Sequence, residues 1–169
     1  MRLVCVTNTG YLWGWPLKHA LVIENNHLIA MMIEQELVES GYDSVQVAVT
    51  QEQAIAMATD RCPQLITADD KLDTGSGIDA IREICREQAI PVVFIAARID
   101  KIALSIPDAV IVQKPFSRMR LMAAIERAGQ APTAFPQFSN HSQLDVGNAP
   151  EGGTGIKAGS RAKADRLSP

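Results

Sequence analysis

The stretch QLITADDKLDTGSGIDAIREICREQ, residues 64–88, holds one complete change of structural period. Gln64 to Ala68 is a short apolar run without alternation, as expected of a strand covered on both faces. Asp69 ends it. After a loop of Asp, Gly, Thr and Ser, Ser76 stands as the N-cap of a helix expected over Gly77 to Gln88, with Ile78, Ile81 and Cys85 on one face. A buried strand feeding an amphipathic helix is the start of a right-handed crossover, so the segment calls for a parallel sheet.

The same grammar repeats on both sides. Further strands are expected at Ala20 to Ile23, Ser44 to Val49, Pro91 to Ala96 and Ala109 to Val112. Further helices are expected at His27 to Ser40, ended by Gly41; at Gln51 to Arg61, opened by a capping box of Thr50 and Gln53 and stopped by Pro63; and at Arg118 to Ala128, capped by Ser117 with Leu121, Ala124 and Ile125 inward. The result is an α/β fold in three layers, a doubly wound five-stranded parallel sheet covered on both sides. Ligands in such folds bind at the carboxyl ends of the strands.

The chain has 169 residues, enough for one domain with extensions. Residues 1–18 hold both tryptophans, Trp13 and Trp15, without a sustained period and read as a lead-in, with local packing of the tryptophans favoured over a partner surface. Residues 19–128 form the domain. Residues 129–169 carry 6 Gly, 4 Pro and 4 Ser without an apolar pattern, the composition of a flexible tail. The Gly-rich run at 152–157 lacks phosphate-loop spacing. Hydrophobic residues make up 47% of the chain, which supports a core, but aromatics only 5%, too few for a base-stacking platform. The net charge of −3 divides into −6 for residues 19–128 and +3 for the two ends, so the domain is not expected to bind nucleic acid directly. Cys5, Cys62 and Cys85 form no metal or disulfide pattern, apolar runs are too short to span a bilayer, and no signal peptide is apparent. A reducing cytoplasm and no membrane contact are expected.

Glu24 and Asn25 follow the first strand, Asp69 the third and Lys114 the fifth, and Ala96 ends the fourth. Carboxylates gathered at one sheet edge call for a cation. The chemistry that fits is an acyl-phosphate site: Asp69 attacks a phosphoryl group, Glu24 helps to hold Mg2+ and Lys114 pairs with phosphate oxygens. Each residue also has a structural reading. Asn25 or Asn26 serves as an N-cap, Glu24 suits a helix dipole, and Lys114 makes an ion pair.

Three pieces, residues 22–29 (VIENNHLI), 68–80 (ADDKLDTGSGIDA) and 113–116 (QKPF), together resemble the receiver domain of two-component response regulators, the CheY-like family, across about residues 19–128. The Gly-Ile-Asp-Ala run is most similar to stand-alone or stress-response receivers of alphaproteobacteria. The resemblance implies a flavodoxin-like (βα)5 fold, with Asp69 as phosphoacceptor, Lys114 as the family's lysine, and Mg2+ held by Glu24, the second acidic position, Asp69 and the backbone carbonyl of Lys71. It also implies a cis peptide at Lys114-Pro115, a histidine kinase or histidine phosphotransfer protein as phosphate donor, and a downstream protein partner, with a homodimer among the arrangements. A regulator rather than an enzyme is expected. Asp70 and Asp73 read as solvated loop carboxylates, with alternation turning Asp70 away from the crevice.

The sequence departs from the family pattern. The second acidic position is Asn25, a poorer ligand for a hard cation, so Mg2+ binding should be weak. Ala96 replaces the Ser or Thr that contacts the phosphoryl group, and Ile111 the aromatic switch residue, so the usual coupling between them is missing. Lys71 and Arg98, two residues beyond Asp69 and Ala96, are basic neighbours of the phosphate site. Ala96 and Lys114 are only 18 positions apart, so the fourth helix is expected to be short or irregular. Two functions follow: a phosphoacceptor module in phosphorelay signalling, or a degenerate pseudo-receiver that binds partners without phosphorylation. A small flavodoxin-like enzyme would need a cofactor-cradling loop after the first strand, and Glu24 to His27 offers none.

Overall fold

The computed structural model describes residues 11–12 and 15–130. Tyr11–Leu12 and Trp15–Pro16 pair as a two-residue antiparallel ladder within the lead-in. Trp13, the side chain of Trp15 and residues 131–169, including the 152–157 run and most of the expected flexible tail, lie outside the described residues.

Five strands, β1 (His19–Ile23), β2 (Ser44–Ala48), β3 (Leu65–Ala68), β4 (Val92–Ala96) and β5 (Val110–Gln113), alternate with helices α1 (His27–Glu39), α2 (Gln51–Asp60), α3 (Gly77–Ile84), α4 (Asp100–Ser105) and α5 (Arg118–Gln130). The sheet is all parallel, in the order β2-β1-β3-β4-β5. That order matches the doubly wound flavodoxin-like arrangement, whose strand order reverses beside β1.

Alternation within each strand divides the core in two. Leu21, Ile23, Ile66, Ala68 and Phe94 face Ala54, Ala58, Ile78, Ile81 and Ile102 on one side of the sheet. Ala20, Val22, Leu65, Val93 and Ile95 face Ala30, Ile33, Leu37, Leu121 and Ala124 on the other. Each fully buried Leu, Ile or Phe contributes about 1.5–3 kcal/mol relative to exposure, which fixes both the register and the helix faces.

The helices open as their sequences direct. Asn26, not Asn25, caps α1 by accepting from the N–H groups of Leu28 and Ile29. Thr50 Oγ1 accepts from Gln53 N, while Gln53 Oε1 reaches back to Val49 N, a capping box displaced by one residue. Ser76 accepts from Asp79 N, and Ser117 Oγ from Arg120 N. Two boundaries differ from the sequence expectation by more than one residue. α3 ends at Ile84 rather than Gln88, because the chain must turn there to bury Ile90 ahead of β4. α5 continues through Gly129 to Gln130, so the ordered domain extends two residues past 128. α4 is short, as expected: it has six residues, no side-chain cap and a single buried residue, Ile102.

Candidate functional site

Parallel register brings the strand ends together. Ile23 lies opposite Ala48 and Ala68, Ala68 opposite Phe94, and Ala96 opposite Gln113. The next residues, Glu24, Asp69, Ala97 and Lys114, therefore emerge along one edge. Backbone bonds hold them: Asp69 N donates to Ile23 O, Glu24 N to Ala48 O, and Lys114 N to Ala96 O. The Lys114-Pro115 peptide is cis, in line with the resemblance.

Lys114 Nζ donates to Glu24 Oε2 and Asp69 Oδ2, both at 2.6 Å. Glu24 is 1% exposed, and its other oxygen accepts from Asn26 N at 2.9 Å. Burial works against the Lys114 charge, but the hydrogen bonds and charges of Asp69 and Glu24 outweigh it and hold the ammonium above the usual lysine value. One cation thus serves two carboxylates, leaving the pair a negative charge in excess.

A crevice of about 860 Å³ opens over this pair. Lys71 and Arg98 line it, as do Asn25, Asp70, Asp73, Ala97 and Lys101. Asp73 is an exposed loop carboxylate, as expected, and Asn25 Nδ2 donates to its Oδ1 at 2.7 Å. Asp70 corrects the sequence reading. β3 pairing stops at Ala68, so strand alternation no longer governs the two aspartates, and both side chains line the same crevice. Burial, then the hydrogen bond and charge of Asp69, push the Asp70 carboxyl above its usual range against the pull of Lys101. Lys71 N approaches Asp69 Oδ1 at 3.4 Å. Ala96 is fully buried at the end of β4, and the exposed wall there is Ala97 and Arg98. Ile111 is half-buried against the core cluster that includes Phe94 and Ile102.

The loop after Asp69 is pinned from two sides. Gln51 N donates to Thr74 O, and its Oε1 accepts from Ser76 N at 3.0 Å. Gly77 lets α3 start directly against the Asp69 backbone, since a Cβ there would meet Asp69 O at 1.8 Å. Sequence reading missed Gln51, Gly77 and Lys101 as site residues. Lys101 sits on a helix too short to show a period, and the other two act through contacts with no local signal.

The donors do not fit a divalent cation as they stand. Both carboxylates beside the crevice floor are bonded to Lys114, and Glu24 is sealed with both oxygens engaged. The second acidic position is an amide tied to Asp73. Among the described residues no three His, Cys, Asp or Glu side chains are grouped to hold a metal ion.

Residues 20–126 match the family model for the response regulator receiver domain. The chain is 34% identical over 112 residues to the phyllosphere-induced regulator PhyR of Methylorubrum extorquens, covering 64% of this chain and 42% of that protein. The PhyR response regulator REC domain of Erythrobacter litoralis aligns with a TM-score of 0.61 and 30% identity, over 71% of this chain and 95% of that one. The anti-anti-sigma factor PhyR of Bartonella quintana aligns with a TM-score of 0.57 and 34% identity, over 69% and 48% of the two chains. The chain thus spans less than half of the full-length PhyR proteins it matches. Among the described residues no helix is long and apolar enough to cross a membrane.

Proposed function

The chain belongs to the response regulator receiver domain family, and from that premise we propose that Asp69 is its phosphoacceptor. Receiver domains of this family are regulators in two-component signalling. The observation that supports the assignment is the double ion pair of Lys114 with Asp69 and Glu24, which aims an ammonium at the place where a phosphoryl group would sit. An Asp69 oxygen attacks phosphorus on the phosphohistidine of a histidine kinase or phosphotransfer protein. The P–N bond breaks, its electron pair leaves with the imidazole, and an aspartyl phosphate forms. Lys114, already hydrogen-bonded to Asp69, pairs with the incoming phosphate oxygens.

Residues 19–130 then act as the module, in the cytoplasm, with output by protein contact. Because the Bartonella quintana relative is an anti-anti-sigma factor, an anti-sigma protein is the proposed class of downstream partner, with a homodimer as a second assembly. Mg2+, which the resemblance implies, would have Asp69, the Asn25 amide oxygen and the Lys71 carbonyl, a weak set because the second acidic position is an amide.

Incubation of the full chain with acetyl phosphate, followed by intact-protein mass spectrometry, should give one phosphoryl adduct that is absent from Asp69→Asn. Ala96 and Ile111 support the second reading, a phosphorylation-independent pseudo-receiver, and an unlabelled wild-type chain would establish it. Full labelling of Asp69→Asn would transfer the role to another residue.

A further inference from the structure

The crevice carries more positive charge than Lys114 alone supplies. Lys71, Arg98 and Lys101 line it from the β3–α3 loop, the β4–α4 loop and the first turn of α4. Lys101 faces Asp70, whereas Lys71 and Arg98 are exposed and have no ion-pair partner among the described residues. Opposite them, the position that would give a cation its second carboxylate is Asn25, turned toward Asp73. The site therefore has an amide where a dication would take its second carboxylate, while Lys71 and Arg98 stand without an ion-pair partner among the described residues and Lys101 faces Asp70.

A phosphoryl group on Asp69 adds roughly 1.5 to 2 negative charges at neutral pH. It would do so beside buried Glu24, with Lys114 as the one cation in contact among the described residues. Three further cations on three separate elements can surround the phosphoryl oxygens, Arg98 with a planar fork and the two lysines as point charges. Lys101 lines the same crevice as Asp69, and Asp70, its neighbour in charge, lies against Asp69.

We propose that Lys71, Arg98 and Lys101 neutralise the phosphoryl group on Asp69 in place of a divalent cation, so that phosphorylation proceeds without Mg2+. This rests on the phosphoacceptor reading above. With acetyl phosphate as donor, a bond forms between an Asp69 oxygen and phosphorus, the bond from phosphorus to the acyl oxygen breaks, and acetate leaves with the electron pair. No proton or further reactant is needed.

The test follows initial labelling of the full chain by acetyl phosphate in EDTA and in Mg2+, read by intact mass. The rate in EDTA is expected within about tenfold of that in Mg2+, a barrier difference of no more than about 1.4 kcal/mol. Lys71→Ala, Arg98→Ala and Lys101→Ala combined should lose the EDTA labelling while unfolding at an unchanged temperature, since all three residues are exposed. Adding Asn25→Asp to that variant should restore labelling in Mg2+ only. Labelling of the wild type in Mg2+ but not in EDTA would overturn the proposal and leave Asp69 as the acceptor. Unchanged EDTA labelling of the triple variant would overturn it too. Absence of labelling in both buffers would instead defeat the phosphoacceptor reading on which it rests.

Discussion

Gly77 lies so close to Asp69 that a Cβ on Gly77 would stand 1.8 Å from the Asp69 carbonyl oxygen and 3.0 Å from its carbonyl carbon. Both neighbours are backbone atoms at the end of a central strand, and no rotamer can relieve the clash. α3 is thereby seated against Asp69, and its first turn cannot move without moving the site.

Gly77→Ala is accordingly expected to displace the β3–α3 loop and to destabilise the domain by roughly 1–3 kcal/mol, the usual cost of overpacking. Urea unfolding measures the stability and acetyl phosphate labelling the site. Wild-type values for both would show that the loop accommodates a methyl group.

Lys114→Met should be more costly. It leaves Glu24 buried and Asp69 nearly so without their cation, and breaking a buried pair from one side costs about 3–5 kcal/mol. Adding Glu24→Gln to that variant should recover part of the loss, because the sealed group is then neutral. A double variant no more stable than Lys114→Met would refute the charge argument.

Asn25→Asp exchanges a 2.7 Å hydrogen bond to Asp73 for a pair of like charges. In EDTA the variant should melt below the wild type. In Mg2+ the order should reverse, since ligand at about 100 times its dissociation constant stabilises by about 2.7 kcal/mol and a carboxylate is the better ligand. Calorimetric titration of Mg2+ into the two proteins reads the affinity directly, and equal affinities would rule out Asn25 as the cause of weak binding.

His19 predicts a pH dependence at the opposite end of the sheet. It is buried, with Nδ1 against Ser44 O and Oγ and Nε2 without a hydrogen-bond partner among the described residues. Burial, then the charge of Arg61, lower its pKa below the usual 6.5 despite Ser44 and the neighbouring Gln46. The unfolded chain takes up the proton first as pH falls, so stability should decline from about pH 6.5 downward until the folded form also protonates. Urea midpoints between about pH 7.5 and 5 should fall less steeply for His19→Gln. Parallel slopes would exclude His19 as the source.

The strand–helix alternation was legible because two-sided burial leaves unbroken apolar runs and because Asn26, Thr50, Ser76 and Ser117 cap the helices through local contacts. The short α4 was legible from the spacing between Ala96 and Lys114. Glu24, Asp69 and Lys114 were legible as a group because parallel strands place their following residues at one edge.

Local sequence thus determined the elements, their order and the residues at the strand ends, since caps and periods act within a few positions along the chain. Tertiary structure alone decided where Asp70 faces, that α3 stops at Ile84 to let Ile90 bury, that Gly77 abuts Asp69 and that Lys101 joins the crevice. Each of these depends on contacts between segments brought together only when the sheet assembles, and strand alternation carries no information beyond the last paired residue, Ala68.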